Sequence, residues 1–132
     1  MQRIEDFLQD YFRARTEMNR ALGGLYEPLA ARFLAPTYIS FNHKQSVADS
    51  EAERIMSVQT SGATSEAITS GWLGADRRMR YRLSASADSW RIASIEIECG
   101  LCRGSGKRND KQEDCRICKG KGWTLLGTTR DT

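Results

Sequence analysis

The most constraining feature of this chain is an eight-residue pattern, C-x-x-C-x-G-x-G, that occurs twice. The first copy is CGLCRGSG, residues 99–106, and the second is CRICKGKG, residues 115–122. Together the two copies contain all four cysteines of the 132-residue chain. Cysteines grouped in two Cys-x-x-Cys pairs are typical of a metal site, so this segment strongly limits how the chain can fold there.

The spacing of the cysteines predicts one structural zinc ion. Zinc takes four soft ligands at tetrahedral corners, and two Cys-x-x-Cys turns brought together by a hairpin supply them. The predicted ligands are Cys99, Cys102, Cys115 and Cys118. The glycines after each pair suit a chain that turns tightly beneath a metal, because glycine accepts positive φ at little cost. A redox dithiol pair and two disulfides are the alternatives, but a dithiol role does not account for the four glycines.

The repeated pattern resembles the cysteine-rich zinc finger of DnaJ chaperones. That family has four such repeats and two ions, so two repeats resemble half of the domain and imply one ion. The resemblance also implies contacts with non-native or partner polypeptides. We therefore predict a zinc-binding hairpin over residues 99–123, followed by a C-terminal tail over 124–132. Loss of the metal is expected to unfold the hairpin and to leave residues 1–98 folded.

The positive charge of the chain is concentrated in the cysteine segment. Residues 99–123 carry seven basic and three acidic side chains, a net +4, and the rest of the chain sums to −1. One zinc ion with four thiolates carries −2, which leaves the metal-loaded segment at about +2. The segment has one aromatic residue, Trp123, whereas single-strand nucleic-acid binders use several stacking platforms. A nucleic-acid-binding regulator is therefore only the third functional hypothesis.

The residues before the cysteine segment predict an α+β domain with two N-terminal helices and an antiparallel sheet. Apolar periodicity indicates helices over 2–22 and 26–34, and Tyr38, Ile39 and Phe41 suggest a short extended piece. Four strands are predicted near residues 53–60, 65–73, 78–84 and 89–98. In the last strand the apolar set changes parity between Ile92 and Ile95, which is how a β-bulge looks in a sequence.

This order of elements resembles the nuclear transport factor 2-like superfamily, in particular its SnoaL-like and immunity-type bacterial branches. The resemblance covers residues 3–98 and is strongest in YRL, residues 81–83, and WRI, residues 90–92. It implies a cone, in which two helices pack on a curved sheet, and relatives of this fold include isomerases, dehydratases and cyclases. In related cones the outer sheet face often forms a homodimer.

Candidate catalytic residues are few. His43 is the only histidine and a weak candidate for a general base, but FNHKQS also suggests a surface loop. Asp49 and Glu51 could pair with it, although they lie in an acidic, solvated stretch. Tyr11 and Tyr26 could line the mouth of a cone, but their spacing favours packing. Asp6, Asp10 and Arg13 share a helix face and predict an exposed row of charges.

The third predicted strand carries three arginines on one face. Arg78, Arg80 and Arg82 alternate with apolar residues, so they lie opposite the core. Acidic partners on neighbouring strands are expected to be Glu66, Glu96 and Glu98. A solvated face with cross-strand pairs is favoured over a dimer interface.

The sequence favours a binding protein over an enzyme. It is 39% hydrophobic and 28% charged, as expected of a soluble globular domain, and it lacks an apolar run of about 18 residues. Its first residues, MQRIEDFLQDYF, do not form a signal peptide, so we expect a cytoplasmic protein. The leading hypothesis is a protein partner, in an immunity-type or chaperone-accessory role. The alternative is a small-ligand binder or an isomerase- or dehydratase-like enzyme.

Overall fold

The computed structural model describes residues 2–20, 26–36, 38–40, 52–72, 77–107 and 113–129. The elements are α1 (Ile4–Arg20), α2 (Tyr26–Phe33), β1 (Tyr38–Ser40), β2 (Arg54–Ser61), β3 (Thr64–Trp72), β4 (Arg77–Ser86), β5 (Ser89–Glu98) and β6 (Trp123–Thr129). The α+β prediction is confirmed. Within these ranges neither helix combines the length and the apolarity that crossing a membrane requires.

The six strands form one antiparallel sheet in the order β1-β6-β5-β4-β3-β2. Strands β2 to β5 are neighbours in sequence and in space, as tight connections such as Gly62-Ala63 and Ala87-Asp88 allow. Strand β6 then pairs with β5, and β1 pairs with the other side of β6.

Helix α1 buries one side against this sheet. Leu8 and Tyr11 are almost fully buried, and Glu5 and Asp6 lie in the first turn, where acidic side chains complement the helix dipole. On the exposed side Arg13 pairs with Asp10, as the predicted row of charges requires.

The core lies between the two helices and one face of the sheet. Tyr11 packs edge-on against Phe33 and Tyr81, with ring centroids 5.6 and 6.1 Å away, which confirms its packing role. On β4, Met79, Tyr81 and Leu83 are almost fully buried, as their alternation predicts.

The predicted bulge lies at Ala93. Arg82 is opposite Ser94 and Leu83 is opposite Ile92, so Ala93 has no partner across the β4–β5 ladder. The extra residue brings the apolar set after Ala93 back to the face that Ile92 occupies. Both Ile92 and Ile95 are buried in the same core cluster.

The segment predicted as a C-terminal tail instead contains most of β6. Another bulge, at Leu126, interrupts the β5–β6 ladder, because Ile95 is opposite Gly127 and Glu96 is opposite Leu125. Leu126 packs against the main core. The cysteine segment is therefore an insertion between two adjacent strands of the sheet.

Candidate metal centre

The structure brings the four cysteines into one buried cluster, in which all four Sγ atoms lie within 4.8 Å of one another. Cys99 Sγ is 3.8 Å from Cys115 Sγ, and Cys102 Sγ is 3.5 Å from Cys118 Sγ. Four sulfurs around a tetrahedral zinc, each at about 2.3 Å, are about 3.8 Å apart. All four cysteines are free thiols. The cluster could therefore hold one metal ion.

The two repeats, which are 16 residues apart in sequence, make matching hydrogen bonds, as if related by a two-fold axis. The N–H of Cys99 donates to the carbonyl of Gly122 at 2.9 Å, and the N–H of Cys115 donates to the carbonyl of Gly106 at 2.9 Å. In each repeat the N–H of the last glycine also donates a hydrogen bond to the sulfur of the second cysteine. The N–H of Gly106 donates to Cys102 Sγ at 3.3 Å, and that of Gly122 donates to Cys118 Sγ at 3.1 Å. Such N–H groups orient and stabilise thiolates around a metal.

The last glycine of each repeat is required for two reasons. Gly106 and Gly122 have φ values of 77° and 84°, which side chains rarely adopt. A Cβ on Gly106 would lie 2.4 Å from the carbonyl oxygen of Gly120, and one on Gly122 would lie 2.5 Å from that of Gly104. The two repeats therefore approach each other backbone to backbone, which only glycine permits.

An acidic residue precedes the first cysteine of each repeat. Glu98 and Asp114 lie close to the third-last residue of their own repeats, Gly104 and Gly120, where an added Cβ would meet each carboxylate within about 3.1 Å. Each acid has a cation: Arg78 Nη2 is 2.7 Å from Glu98, and Lys107 Nζ is 2.8 Å from Asp114. These cations offset carboxylates that lie near a prospective anionic metal centre.

The thiols differ in acidity. Burial disfavours the thiolate of Cys102, but hydrogen bonds, first that from the Gly106 N–H, outweigh it and lower the pKa of Cys102 to about 7. The N–H of Cys118 is the main cause of a lowered pKa at Cys115, whereas burial raises the pKa of Cys118 to about 11. Without a metal the cluster therefore retains protons, and metal binding must displace them.

The predicted cross-strand pairs of the arginine row are confirmed, but this face is only partly solvated, because Glu96 and Glu98 are buried. Arg80 pairs with Glu96 at 2.9 Å. Arg82 lies 3.6 Å from both Glu66 and Glu96. At the end of the row is the Arg78–Glu98 pair.

Trp123, the first residue of β6, packs against the same arginines. The guanidinium groups of Arg80 and Arg78 lie 4.6 and 5.5 Å from the centre of its ring, so both make cation–π contacts. The side of the sheet opposite the core therefore connects to the metal site through Trp123 and Glu98.

Sequence reasoning missed a buried charged cluster inside the domain. Arg15 Nη2 lies 2.7 Å from Glu53 Oε1, and the side chains are 1% and 0% exposed. Thr69 and Tyr81 donate their hydroxyls to Glu53 Oε2. Arg15 follows Tyr11 by one helical turn, so its position on the buried side of α1 is a signal that could have revealed it.

The buried charges reinforce one another. Burial opposes the charge of Arg15, but the coulombic fields of Tyr81 and Glu53 outweigh it and raise the pKa of Arg15. Burial, and next the charge of Glu53, raise the pKa of Tyr81 well above its ordinary value. Since Glu53 has no exposed side-chain surface, this cluster lies wholly within the core.

The candidate catalytic residues are not brought together in the described part of the chain. His43, Asp49 and Glu51 lie outside the described residues, and so does the side chain of Tyr26. Under the helices the space is filled by side chains such as Phe12 and Met79. Depressions of about 510 and 560 Å³ lie at the surface, the first between α1 and β2 and the second across β2–β5.

Comparison with known proteins finds no relative of this chain. No protein-family model, no curated protein and no solved structure matches it. The resemblances to the nuclear transport factor 2-like fold and to the DnaJ zinc finger therefore depend on the quoted sequence patterns.

Proposed function

We propose that this protein is a zinc-containing binding protein that engages a partner polypeptide through its metal module, defined here as residues 99–107 and 113–122. The observation that carries the proposal is the exposure of Leu101 and Ile117, at 57% and 68%. They occupy the same position in the two repeats, and large apolar side chains that remain exposed in a repeated arrangement suggest an interaction site.

The proposed metal is zinc, and its role is structural. A segment this short buries little apolar surface, so metal binding would supply much of its folding free energy. The four thiolates leave no coordination position open for a substrate, unlike the three-ligand sites of zinc enzymes. Thiolate ligands also need a reducing environment, which supports the proposed cytoplasmic location.

The filled interior favours binding over catalysis. A cone-pocket enzyme needs acid–base groups that reach a substrate, whereas Glu53 and Arg15 are sealed in the core. The resemblance to immunity-type cones and to the DnaJ zinc finger supports a partner polypeptide, in an immunity-type or chaperone-accessory role. The resemblance to related cones also implies a homodimer through the outer sheet face, although Arg80 and Arg82 there pair with Glu96 and Glu66 of the same chain.

Site-specific photo-crosslinking tests the proposed binding surface. A photoreactive residue placed at Leu101 or at Ile117 should give the same discrete protein adduct in cells of origin. The matched control is Met56, an equally exposed apolar residue on β2 (63%). Adducts that form only with the metal-loaded module, and not at Met56, support the proposal. No adduct at either module position would refute it.

Metal analysis tests the centre itself. We expect about one zinc per chain, a shell of four sulfurs in X-ray absorption, and loss of the metal when Cys99 or Cys115 is changed to Ser. A zinc content near zero in protein purified under reducing conditions would refute the metal assignment.

A further inference from the structure

Each repeat of the metal module exposes one apolar and one basic side chain around its second cysteine. The sequences are Leu-Cys-Arg-Gly, residues 101–104, and Ile-Cys-Lys-Gly, residues 117–120. We infer that the module binds an acidic polypeptide segment with interspersed apolar side chains, which contact Leu101 and Ile117 while its carboxylates pair with Arg103 and Lys119. This inference rests on the proposed function and specifies its partner.

The apolar half of the surface lies outside the buried cluster of the module. The buried cluster of the module consists of its four cysteines, and Leu101 and Ile117 point away from it, as their exposure shows. A single exposed leucine would not indicate a binding site, because isolated exposed apolar residues are common on protein surfaces. Here the same position is apolar in both repeats, although polar residues occupy most other exposed positions of the module.

The basic half of the surface is held in an unfavourable backbone conformation. Arg103 and Lys119 have φ values of 56° and 57°, where a side chain other than Asn or Asp costs about 1 kcal/mol relative to glycine. Both side chains are exposed. A basic residue at this position in both repeats is therefore better explained by what it contacts than by local structure.

These two cations are available for a partner. Lys107 is paired with Asp114 at 2.8 Å, but no carboxylate of the described residues pairs with Arg103 or Lys119. The module itself carries five basic and two acidic side chains, a net +3, and so stays positive at about +1 after the −2 of a zinc–tetrathiolate centre is included. The charge of the module therefore complements an acidic partner.

The position of the aromatic residue favours a peptide over a nucleic acid. Binding of single strands relies on aromatic rings open to bases. Trp123 is the aromatic residue next to the module, and the guanidinium groups of Arg78 and Arg80 lie against its ring. Exposed aliphatic side chains such as Leu101 and Ile117 suit peptide side chains better than bases.

The matching geometry of the two repeats has a quantitative consequence. Because the hydrogen bonds between the repeats and those from glycine N–H groups to the sulfurs recur in both repeats, the two apolar–basic pairs should present similar surfaces. We therefore expect both repeats to contribute comparably to affinity, and the loss of both to exceed the loss of either.

Fluorescence anisotropy with synthetic peptides tests the inference on the zinc-loaded full chain. The probe is a labelled 12-residue peptide of alternating Asp and Leu, and the comparison probes are the Lys/Leu and Asp/Ser peptides and a single-stranded oligonucleotide. Leu101→Ser and Ile117→Ser should each weaken Asp/Leu binding about fivefold. Arg103→Asn and Lys119→Asn should do the same and reduce its salt dependence, while asparagine tolerates the positive φ.

The controls are Met56→Ser and Arg54→Asn, which remove an exposed apolar and an exposed basic side chain from β2; neither should change binding. Zinc content of each variant, measured on the same sample, shows that the module is intact. Equal or tighter binding of the Lys/Leu peptide, equal binding of the Asp/Ser peptide, or tighter binding of the oligonucleotide would overturn the inference. So would self-association that Leu101→Ser abolishes, because the occupant would then be a second copy.

The inference and the proposed function fail in distinguishable ways. If cross-links form at residues 101 and 117 but the Asp/Leu peptide does not bind, the partner surface exists and its acidic character is wrong. If no cross-link forms at either position, the proposed binding surface itself is wrong.

Discussion

The backbone N–H of Cys99 donates a hydrogen bond to the carbonyl oxygen of Gly122 at 2.9 Å, directly beyond the last pair of the β5–β6 ladder, Glu98 opposite Trp123. The ladder thus continues into the metal module without a break. The module is the closed end of a hairpin within the sheet, so its stability and that of β6 are coupled.

Metal removal should therefore affect β6 as well as the module. After chelation, hydrogen exchange should accelerate at Trp123–Thr129 and at its edge partner β1, which is only three residues long. Amides of α1 and β4 should keep their protection, because their contacts lie in the separate main core. This refines the expectation that residues 1–98 stay folded, since β1 lies within that range.

Two results would contradict this prediction. Unchanged protection of β6 after chelation would show that the strand is held by the sheet alone. Global loss of protection, including α1 and β4, would show that the domain cannot fold without the metal.

The last glycines of the two repeats offer a matched test of how closely the repeat backbones pack. Gly106→Ala and Gly122→Ala should weaken zinc binding strongly, because each new Cβ would lie within about 2.5 Å of a carbonyl oxygen. Gly62→Ala is the control: its φ is 60°, yet nothing lies within 4 Å of the added Cβ, so only the backbone strain of about 1 kcal/mol remains.

Competition with a zinc chelator measures the first effect, and urea unfolding measures the second. If Gly106→Ala binds zinc as tightly as the wild type, the close backbone approach between the repeats is wrong.

Much of this architecture could be predicted because its signals are local. The alternation of Met79, Tyr81 and Leu83 fixes one face of β4, and the parity change near Ile92 marks the bulge at Ala93. The acidic partners of Arg80 and Arg82 followed from the same alternation on neighbouring strands. The cysteine spacing likewise predicts a cluster, because each pair is closed by a short turn.

Two features could not be predicted from local signals. In β6 the bulge at Leu126 breaks the alternation within the seven residues of the strand. The β1 residues that pair with β6 are far away in the sequence. The Arg15–Glu53 pair joins residues 38 positions apart. The helix pattern places Arg15 on the buried side of α1, but only the tertiary structure identifies Glu53 as its partner. Charged residues at the edge of an apolar pattern are usually exposed, and these two are exceptions.

Removing one partner of the buried pair should be costly. Glu53→Gln would leave the Arg15 guanidinium buried without a counter-charge, and we expect a loss of about 3–5 kcal/mol in the free energy of unfolding. The matched control is Glu66→Gln, because Glu66 pairs with Arg82 at a half-exposed position. That change should cost less than about 1 kcal/mol.

Replacing both partners separates charge from packing. The double variant Arg15→Met with Glu53→Gln should recover part of the stability, since no uncompensated charge stays buried. Urea unfolding of the wild type, Glu53→Gln, Glu66→Gln and the double variant measures the free energy of unfolding of each protein. A double variant that is less stable than Glu53→Gln alone would show that shape, and not charge, governs this cluster.

The raised pKa of Tyr81 predicts a loss of stability at alkaline pH. The phenol is buried beside Glu53, and its pKa in the folded protein is well above 10.0. In the unfolded chain it ionises near pH 10, so above that pH the unfolded state binds fewer protons than the folded state. The contribution of the protonated Tyr81 phenol to the free energy of unfolding is thus complete below about pH 10. Above that pH the free energy of unfolding falls by up to about 1.4 kcal/mol per pH unit.

The variant Tyr81→Phe isolates this contribution, because it removes the phenol while other tyrosines, such as the buried Tyr11, stay in both proteins. Tyr81→Phe should be less stable than the wild type at pH 8 by about 1–3 kcal/mol, since Glu53 loses a buried hydrogen bond. Between pH 10 and 11 the difference in stability between the two proteins should shrink, because only the wild type has a Tyr81 phenol that must stay protonated in the folded state. Urea midpoints measured at pH 8, 10 and 11 test this, and parallel pH profiles of the two proteins would show that Tyr81 ionises as easily in the folded state as in the unfolded one.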